Sequence, residues 1–306
     1  MRSFTLPRLL QDRAEAVAQA FLQPPGAAAV DFAGPPGEPG LAGPDSVSWQ
    51  VFRNPVTLFV GGVAAVVLEL AEPRVRSGVW EHSSFRSDPV ERLRRTGLAA
   101  MVTVYAARGV AERMIAGIRR SHSAVAGTTP AGEPYRADDP ELLAWVQATA
   151  AFGFLEAHCA YVSNLGLLDR DRLYAEGAPA ADLYGAAGAP QSTADMNALF
   201  RRMRPRLEPS PVVAEFLGIV QRAPLLPPAL SAAQNILVRA GVEIVPHWVR
   251  DIVGLGERWR LDPWEKPLVK GVARLADRYR LDAAPPAQAC VRMGLPPDYL
   301  HRRAGG

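Results

Sequence analysis

Apolar residues recur at helical spacing through most of the chain, and the polar breaks between these runs carry helix start and stop signals. An amphipathic segment covers roughly Leu9 to Leu22, and VSWQVFRNP ends at a proline. Residues 56–71 read as a buried helix with a Gly-Gly step near its start. Ser87-Asp88-Pro89 supplies a capping side chain and then a first-turn proline, predicting a helix through PVERLRRTGLAAMVTVYA. The next helix begins near Gly109 and reaches about Ala126, with Gly127 as its expected C-cap. Asp138 and Asp139 before Pro140 and Glu141 start a long, largely apolar helix, PELLAWVQATAAFGFLEAHCAYVSN. Further helices are predicted over 193–204, 210–220, 228–241, 242–253 and 264–280.

The gaps are equally informative. Residues 23–46 are rich in proline and glycine and read as an arm that wraps the body. TTPAGEPYRADDP reads as a polar hairpin, 166–193 as loops and short helices, and the tail beyond Pro285 as irregular. No convincing alternating strand and no internal repeat occurs. The pattern predicts an all-α protein: an N-terminal helix and arm over 1–46, a single helical domain over 47–285 and a tail over 286–306.

Composition narrows the function. The chain has 306 residues, 48% of them hydrophobic, enough for a substantial core. Net charge is +3, from 34 basic and 31 acidic residues, with no long basic run, so nucleic-acid binding is not expected. The two cysteines, Cys159 and Cys290, form neither CxxC nor CxxCH. That sets aside a cysteine-rich zinc site and a covalently attached c-type haem, while leaving open a noncovalent haem on one histidine. So few cysteines fit a reducing cytoplasm. The most apolar window, residues 56–73, contains Glu69 and Glu72 and falls short of the ~20 apolar residues of a membrane span, so no integral span is expected.

Candidate chemistry starts from RMIAGIRRSHSAVAG, where Ile115, Ile118, His122 and Val125 share one helical stripe. A histidine there is either a core imidazole bonded to a carbonyl or a ligand or base facing a pocket. Arg92 and Thr96, four apart in DPVERLRRTG, share a face suited to an anion such as a propionate, or else Arg92 snorkels from a helix surface. Gln147, Ala151, Phe154 and His158 line one face of the long helix; its small residues leave room for a ligand or let helices pack closely. Glu81, His82, Ser83, Ser84 and Arg86 gather between helices, and Glu72 before Pro73 reads as a helix end. Among five histidines there is no HExxH, so a dedicated zinc site is not expected.

In order along the chain, NPVTLFVGGVAAVVLELAEPRVRSGV, WEHSSFRSDPVERLRRTG, RRSHSAVAG, YRADDPELLAWVQAT and DRDRLYAEG resemble the MpaB-type and rubber-oxygenase (latex clearing protein) haem-binding domain family. The resemblance covers about residues 47–177. It implies a globin-like helical core holding a noncovalent haem b, and an enzyme that uses dioxygen on carbon–carbon double bonds of isoprenoid chains. His122 matches the proximal iron ligand, and Arg92 with Thr96 matches the family's arginine–threonine signature, Arg95 being the charged residue before that threonine. Asp139, Pro140 and Trp145 match the following helix. The chain departs from the family at three positions: Gln147 replaces the histidine of WVH, Glu72 that of AHP, and His158 stands where a tyrosine is usual.

The expectation is therefore a haem b oxygenase-like enzyme acting on a small apolar, isoprenoid or aromatic molecule with O2 or peroxide, as in a biosynthetic tailoring step. In it, His122 holds the iron, Arg92 and Thr96 support the haem, and Arg92, Arg95, Gln147 and His158 face the reaction. The alternative from another class is a noncatalytic helical protein that binds an apolar ligand or a partner.

Overall fold

The computed structural model describes residues 29–226 and 230–303; the helix expected over 9–22 lies outside the described residues. The chain is all-α. Its helices are α1 (Val47–Val51), α2 (Pro55–Ala71), α3 (Pro73–His82), α4 (Pro89–Tyr105), α5 (Arg108–Ser123), α6 (Pro140–Tyr161), α7 (Leu167–Glu176) and α8 (Ala178–Tyr184). They continue as α9 (Thr193–Met203), α10 (Pro211–Arg222), α11 (Ser231–Ile244), α12 (His247–Ile252), α13 (Glu265–Arg278), α14 (Pro285–Arg292) and α15 (Tyr299–Arg303). The predicted hairpin forms between α5 and α6, β1 (Ala126–Thr128) pairing antiparallel with β2 (Pro134–Arg136).

One device starts most of the long helices: a short polar side chain accepts the first free amides and a proline occupies the first turn. Asn54 accepts from Val56 and Thr57 ahead of α2, and Asp88 from Glu91 ahead of α4. Asp139 accepts from Glu141 and Leu142 ahead of α6, and Ser210 from Val212 ahead of α10. The same device builds α3, where the sequence reading had only a helix end. Glu72 closes α2 in an extended conformation, caps α3 through the Val75 amide, and Pro73 begins the new helix at a bend of 111°.

Two further expectations are corrected. Gly127 is not a helix C-cap: α5 ends at Ser123, and Gly127 lies in β1 opposite Tyr135, where a Cβ would stand 2.6 Å from the tyrosine hydroxyl. The tail beyond Pro285 is not irregular, since its prolines begin α14 and α15 follows.

The centre is α2 crossed by α6. Gly61 and Gly153 meet at the crossing: a Cβ on Gly61 would lie 2.8 Å from the Gly153 carbonyl, and one on Gly153 would strike the Gly61 carbonyl. On another side Gly241 of α11 lets Val63 approach. Val63, Val67, Leu68, Trp145, Leu155, Met203 and Phe216 fill the core around them. The arm, irregular over residues 29–46, is pinned from the far end of the chain. Arg292 of α14 is buried and donates to the carbonyls of Phe32 (2.8 Å), Glu38 (2.9 Å) and Tyr105 (2.7 Å). Among the described residues no single helix is long and apolar enough to cross a membrane.

Candidate active site

Helix α2 is sealed along its second half except for one seam. From Val60 to Ala71 every residue is buried apart from Gly62, Val66 and Glu69, which are half-buried at i, i+4 and i+7. A seam left open on the central helix means that no neighbouring helix packs there. On α4, none of the residues Pro89 to Gly97 is buried, and on α5 only Ala111 and Ile115 are. These two helices pack on each other, and α5 also packs on α8; neither packs closely on α2 or α6. The gap between the α4–α5 pair and the core helices, here called the recess, is spanned by side chains and not by close helix–helix contact.

Electrostatics place three groups around this recess. Burial pushes the Glu69 carboxyl up to about 7, with the Arg92 guanidinium offsetting part of the rise. Burial also pulls Arg92 below its ordinary value, against Glu69, which holds it up. His122 is pulled down first by burial and then by the Arg92 charge, while Asp138 opposes both. Arg92 thus acts on α2 and α5 at once. Its side chain is only half-buried in surface terms, yet its charge behaves as a desolvated one. Arg92 Nη1 donates to Thr96 Oγ1 at 3.2 Å, and the Thr96 hydroxyl donates to the Arg92 carbonyl at 2.9 Å. Among the described residues Nδ1 of His122 is closed off and meets no hydrogen-bond partner, as is also true of Nδ1 of His158 and of His301. Such a nitrogen calls for an explanation, and a metal ligated by the ring is one.

Arg92 and Thr96 are thus bonded to each other, and His122 lies within reach of the Arg92 charge. The other expected residues are not part of this group. Arg95 points outward and pairs with Glu91 one turn back at 2.9 Å, because a residue one position before Thr96 lies about 100° round the helix. Gln147 lines a small, partly open space of about 10 Å³, room for roughly one water, with Ala148, Ala151, Tyr174 and Gly177. His158 is buried, and it senses Asp277 and Arg53 rather than Arg92. It lies about 27 Å along α6 from Pro140, whereas His122 senses Asp138 just ahead of that proline. Burial holds the His158 imidazole at about 4.

Of the remaining motifs, Glu72 is a cap. Its carboxylate accepts from the Val75 amide and from Arg74 at 2.7 Å, and it is almost fully buried. Trp145 is core, edge-on to Phe200. The Glu81–Arg86 cluster disperses: Glu81 accepts from the Tyr135 hydroxyl, His82 meets the same hydroxyl, and Arg86 pairs with Glu215. The group that sequence reasoning missed is Glu69. Its signal was its register, three residues after Val66 and seven after Gly62, on a helix with no other charge from Pro55 to Ala71.

Among the described residues no three His, Cys, Asp or Glu side chains converge as a metal-binding group. His122 thus stands as a single candidate ligand and not as a member of a metal-binding cluster.

Comparisons with known proteins agree with this geometry in one respect and are silent in others. No curated protein and no solved structure matches the chain. A family model described as the ER-bound oxygenase mpaB/B'/Rubber oxygenase, catalytic domain, matches residues 49–280, which contain α2 to α13 and every group of the recess. The chain belongs to this mpaB/rubber-oxygenase family, and its helical body is an oxygenase-type catalytic domain.

Proposed function

We propose that the protein is a haem b-dependent oxygenase that acts on a small apolar molecule with O2, or with peroxide in its place, and that His122 would hold the haem iron. The observation that carries this reading is the His122 imidazole, unpartnered at Nδ1 among the described residues and, unlike the equally unpartnered His158, pushed toward its neutral form by Arg92 as well as by burial. A neutral ring offers a lone pair to iron. The residues present therefore fit the group.

When bound, the haem supplies dioxygen binding and activation. The chain's own residues do the rest. His122 anchors the cofactor. Arg92, tied to Thr96, offers a cation to a propionate. Glu69, titrating at about 7, holds or releases a proton at its carboxyl oxygen near neutral pH, which is the property of a general acid or base. Gly62, Val66 and Ile118 are half-buried and small or apolar, which would favour an isoprenoid or aromatic substrate over a charged one. Two unpaired cysteines suit a reducing cytoplasm, where a tailoring oxygenase of this kind would work.

The test is turnover of isoprenoid and aromatic substrates under 18O2 by haem-loaded protein. Label in the product supports the reading. Unlabelled product formed only with peroxide assigns the oxidant as peroxide, and a protein that takes up no haem overturns the proposal.

A further inference from the structure

The positive charge of the molecule is concentrated on one pair of helices. Residues 89–123, which hold α4 and α5, carry seven arginines against Glu91 and Glu112, a balance of +5. The whole chain carries +3, so the rest of it is net −2. On α5 the exposed positions are Arg108, Arg113, Arg119 and Arg120, with only alanine and serine beside them. No exposed residue of α5 is acidic, aromatic or a large aliphatic.

These arginines share one side of the helix. Arg113 and Arg120 lie within about 20° of one line along α5, about 11 Å apart. Arg108 and Arg119 lie within about 20° of a second line, about 120° round from the first, and Ala116 sits midway between the two. Arg113 stands about half a turn round the helix from His122, so the first row looks away from the candidate site. Both guanidinium groups of that row lie along the helix over glycines: Arg113 Nη1 is 3.4 Å from where a Cβ on Gly109 would stand, and Arg120 Nη2 is 3.8 Å from one on Gly117. Arg108 meets Glu112 at 3.8 Å, whereas Arg113, Arg119 and Arg120 enter no ion pair among the described residues. Glu38 also approaches Gly109, but its carboxylate accepts from the Gly109 amide at 2.8 Å.

From this face we infer that α5 docks the acidic surface of a partner protein, whose carboxylates meet Arg113, Arg119 and Arg120. A guanidinium fork matches a carboxylate with two parallel hydrogen bonds. The small Ala116 between the rows lets an acidic side chain come close to both. Lipid is disfavoured as the occupant, because the face offers no large apolar side chain to enter a bilayer. Nucleic acid is disfavoured because no aromatic ring is there to stack on a base, and four cations fall short of the ~6–10 phosphate contacts of a DNA-binding protein. A second copy is disfavoured because a two-fold contact would set each arginine row against the same rows of the partner. The segment 1–28 is disfavoured on charge, since its three arginines outnumber Asp12 and Glu15.

The test is fluorescence anisotropy of a labelled poly-glutamate peptide with the full-length protein, repeated against duplex DNA and phosphatidylglycerol vesicles as competitors, with the solution mass measured alongside. Wild type is expected to bind the peptide and to release it at high salt. Arg113→Gln with Arg120→Gln weakens binding about tenfold, at the usual worth of exposed ion pairs, with unchanged circular dichroism, melting and mass. Arg201→Gln with Arg202→Gln, an equally exposed pair on α9, leaves binding within about twofold of wild type. The inference is overturned if wild type ignores the peptide, or if the α5 variant binds as wild type does. It is equally overturned if the α9 variant loses as much, which assigns binding to net charge, or if DNA or vesicles outcompete the peptide on wild type but not on the α5 variant, which assigns the face to phosphate. An α5 variant that halves the solution mass also overturns it and assigns the face to a second copy.

Discussion

Arg92 and Thr96 hold each other across one turn of α4, the guanidinium donating to Oγ1 at 3.2 Å and the hydroxyl returning to the Arg92 carbonyl at 2.9 Å. This holds in place a cation whose charge lowers two groups on other helices, Glu69 of α2 and His122 of α5. Replacing Arg92 by Ala removes the charge that holds the Glu69 carboxyl down, so the limb of the pH–rate profile that reports Glu69 moves to higher pH. Thr96→Val leaves the limb in place and lowers kcat/KM roughly fivefold, the worth of one hydrogen bond of about 1 kcal/mol. A limb that stays fixed in Arg92→Ala contradicts the assignment.

Glu69 also makes stability depend on pH. Its carboxyl titrates near 4.5 when unfolded and at about 7 in the fold, so folding takes up a proton between those values. The stability that Glu69 contributes is highest below 4.5, falls as pH rises through the window, and stays low above 7. Glu69→Gln is free of this loss. Its melting temperature should exceed that of wild type by a few degrees at pH 8, and the difference should shrink steadily toward pH 4. An equal difference at both ends would place Glu69 in solvent.

His158 predicts the opposite slope. Its imidazole is buried neutral and titrates at about 4 in the fold, against 6.5 when free. The stability it confers is present above 6.5 and is lost as pH falls toward 4. His158→Gln should therefore flatten the acid limb of a melting-temperature profile while leaving cofactor binding and turnover within twofold of wild type. Loss of turnover with the fold intact would return His158 to the reaction.

The crossing of α2 and α6 tolerates no side chain. Gly153→Ala places a methyl against the Gly61 carbonyl and 3.3 Å from the Ala65 methyl, a backbone contact that cannot rotate away. A loss of about 1 to 3 kcal/mol is expected from such overpacking, read as a lower denaturant midpoint at an unchanged slope. An unchanged midpoint would mean that the helices separate freely there.

Most of the helical frame was legible because its signals are local. Asn54-Pro55, Asp88-Pro89 and Asp139-Pro140 announce α2, α4 and α6 in two residues each, and the hairpin between α5 and α6 follows from its turn residues. The same proline misled at two places. Pro73 and Pro285 read as stops, whereas in the first turn of a helix the missing amide costs nothing and the fixed φ favours the start. Of the site, the i, i+4 pair Arg92–Thr96 and the stripe of His122 are helix-face properties and were visible. Gln147 and His158 share a face as well, but a face says nothing of depth along the axis; about 16 Å of α6 separates them, and different neighbours surround each. Glu69 passed unread as a catalytic group because its meaning depends on Arg92, 23 residues on and in another helix. No local pattern carries that.

The central claim is that His122 ligates an iron porphyrin, and absorption of the purified protein tests it most directly. Wild type from haem-sufficient cells, His122→Ala and His158→Ala are recorded in ferric and ferrous forms beside far-ultraviolet circular dichroism. A Soret band in wild type and His158→Ala that disappears in His122→Ala, with helicity unchanged, is the predicted result. A wild type that stays colourless when hemin is added, or a His122→Ala protein that keeps the wild-type band, contradicts it.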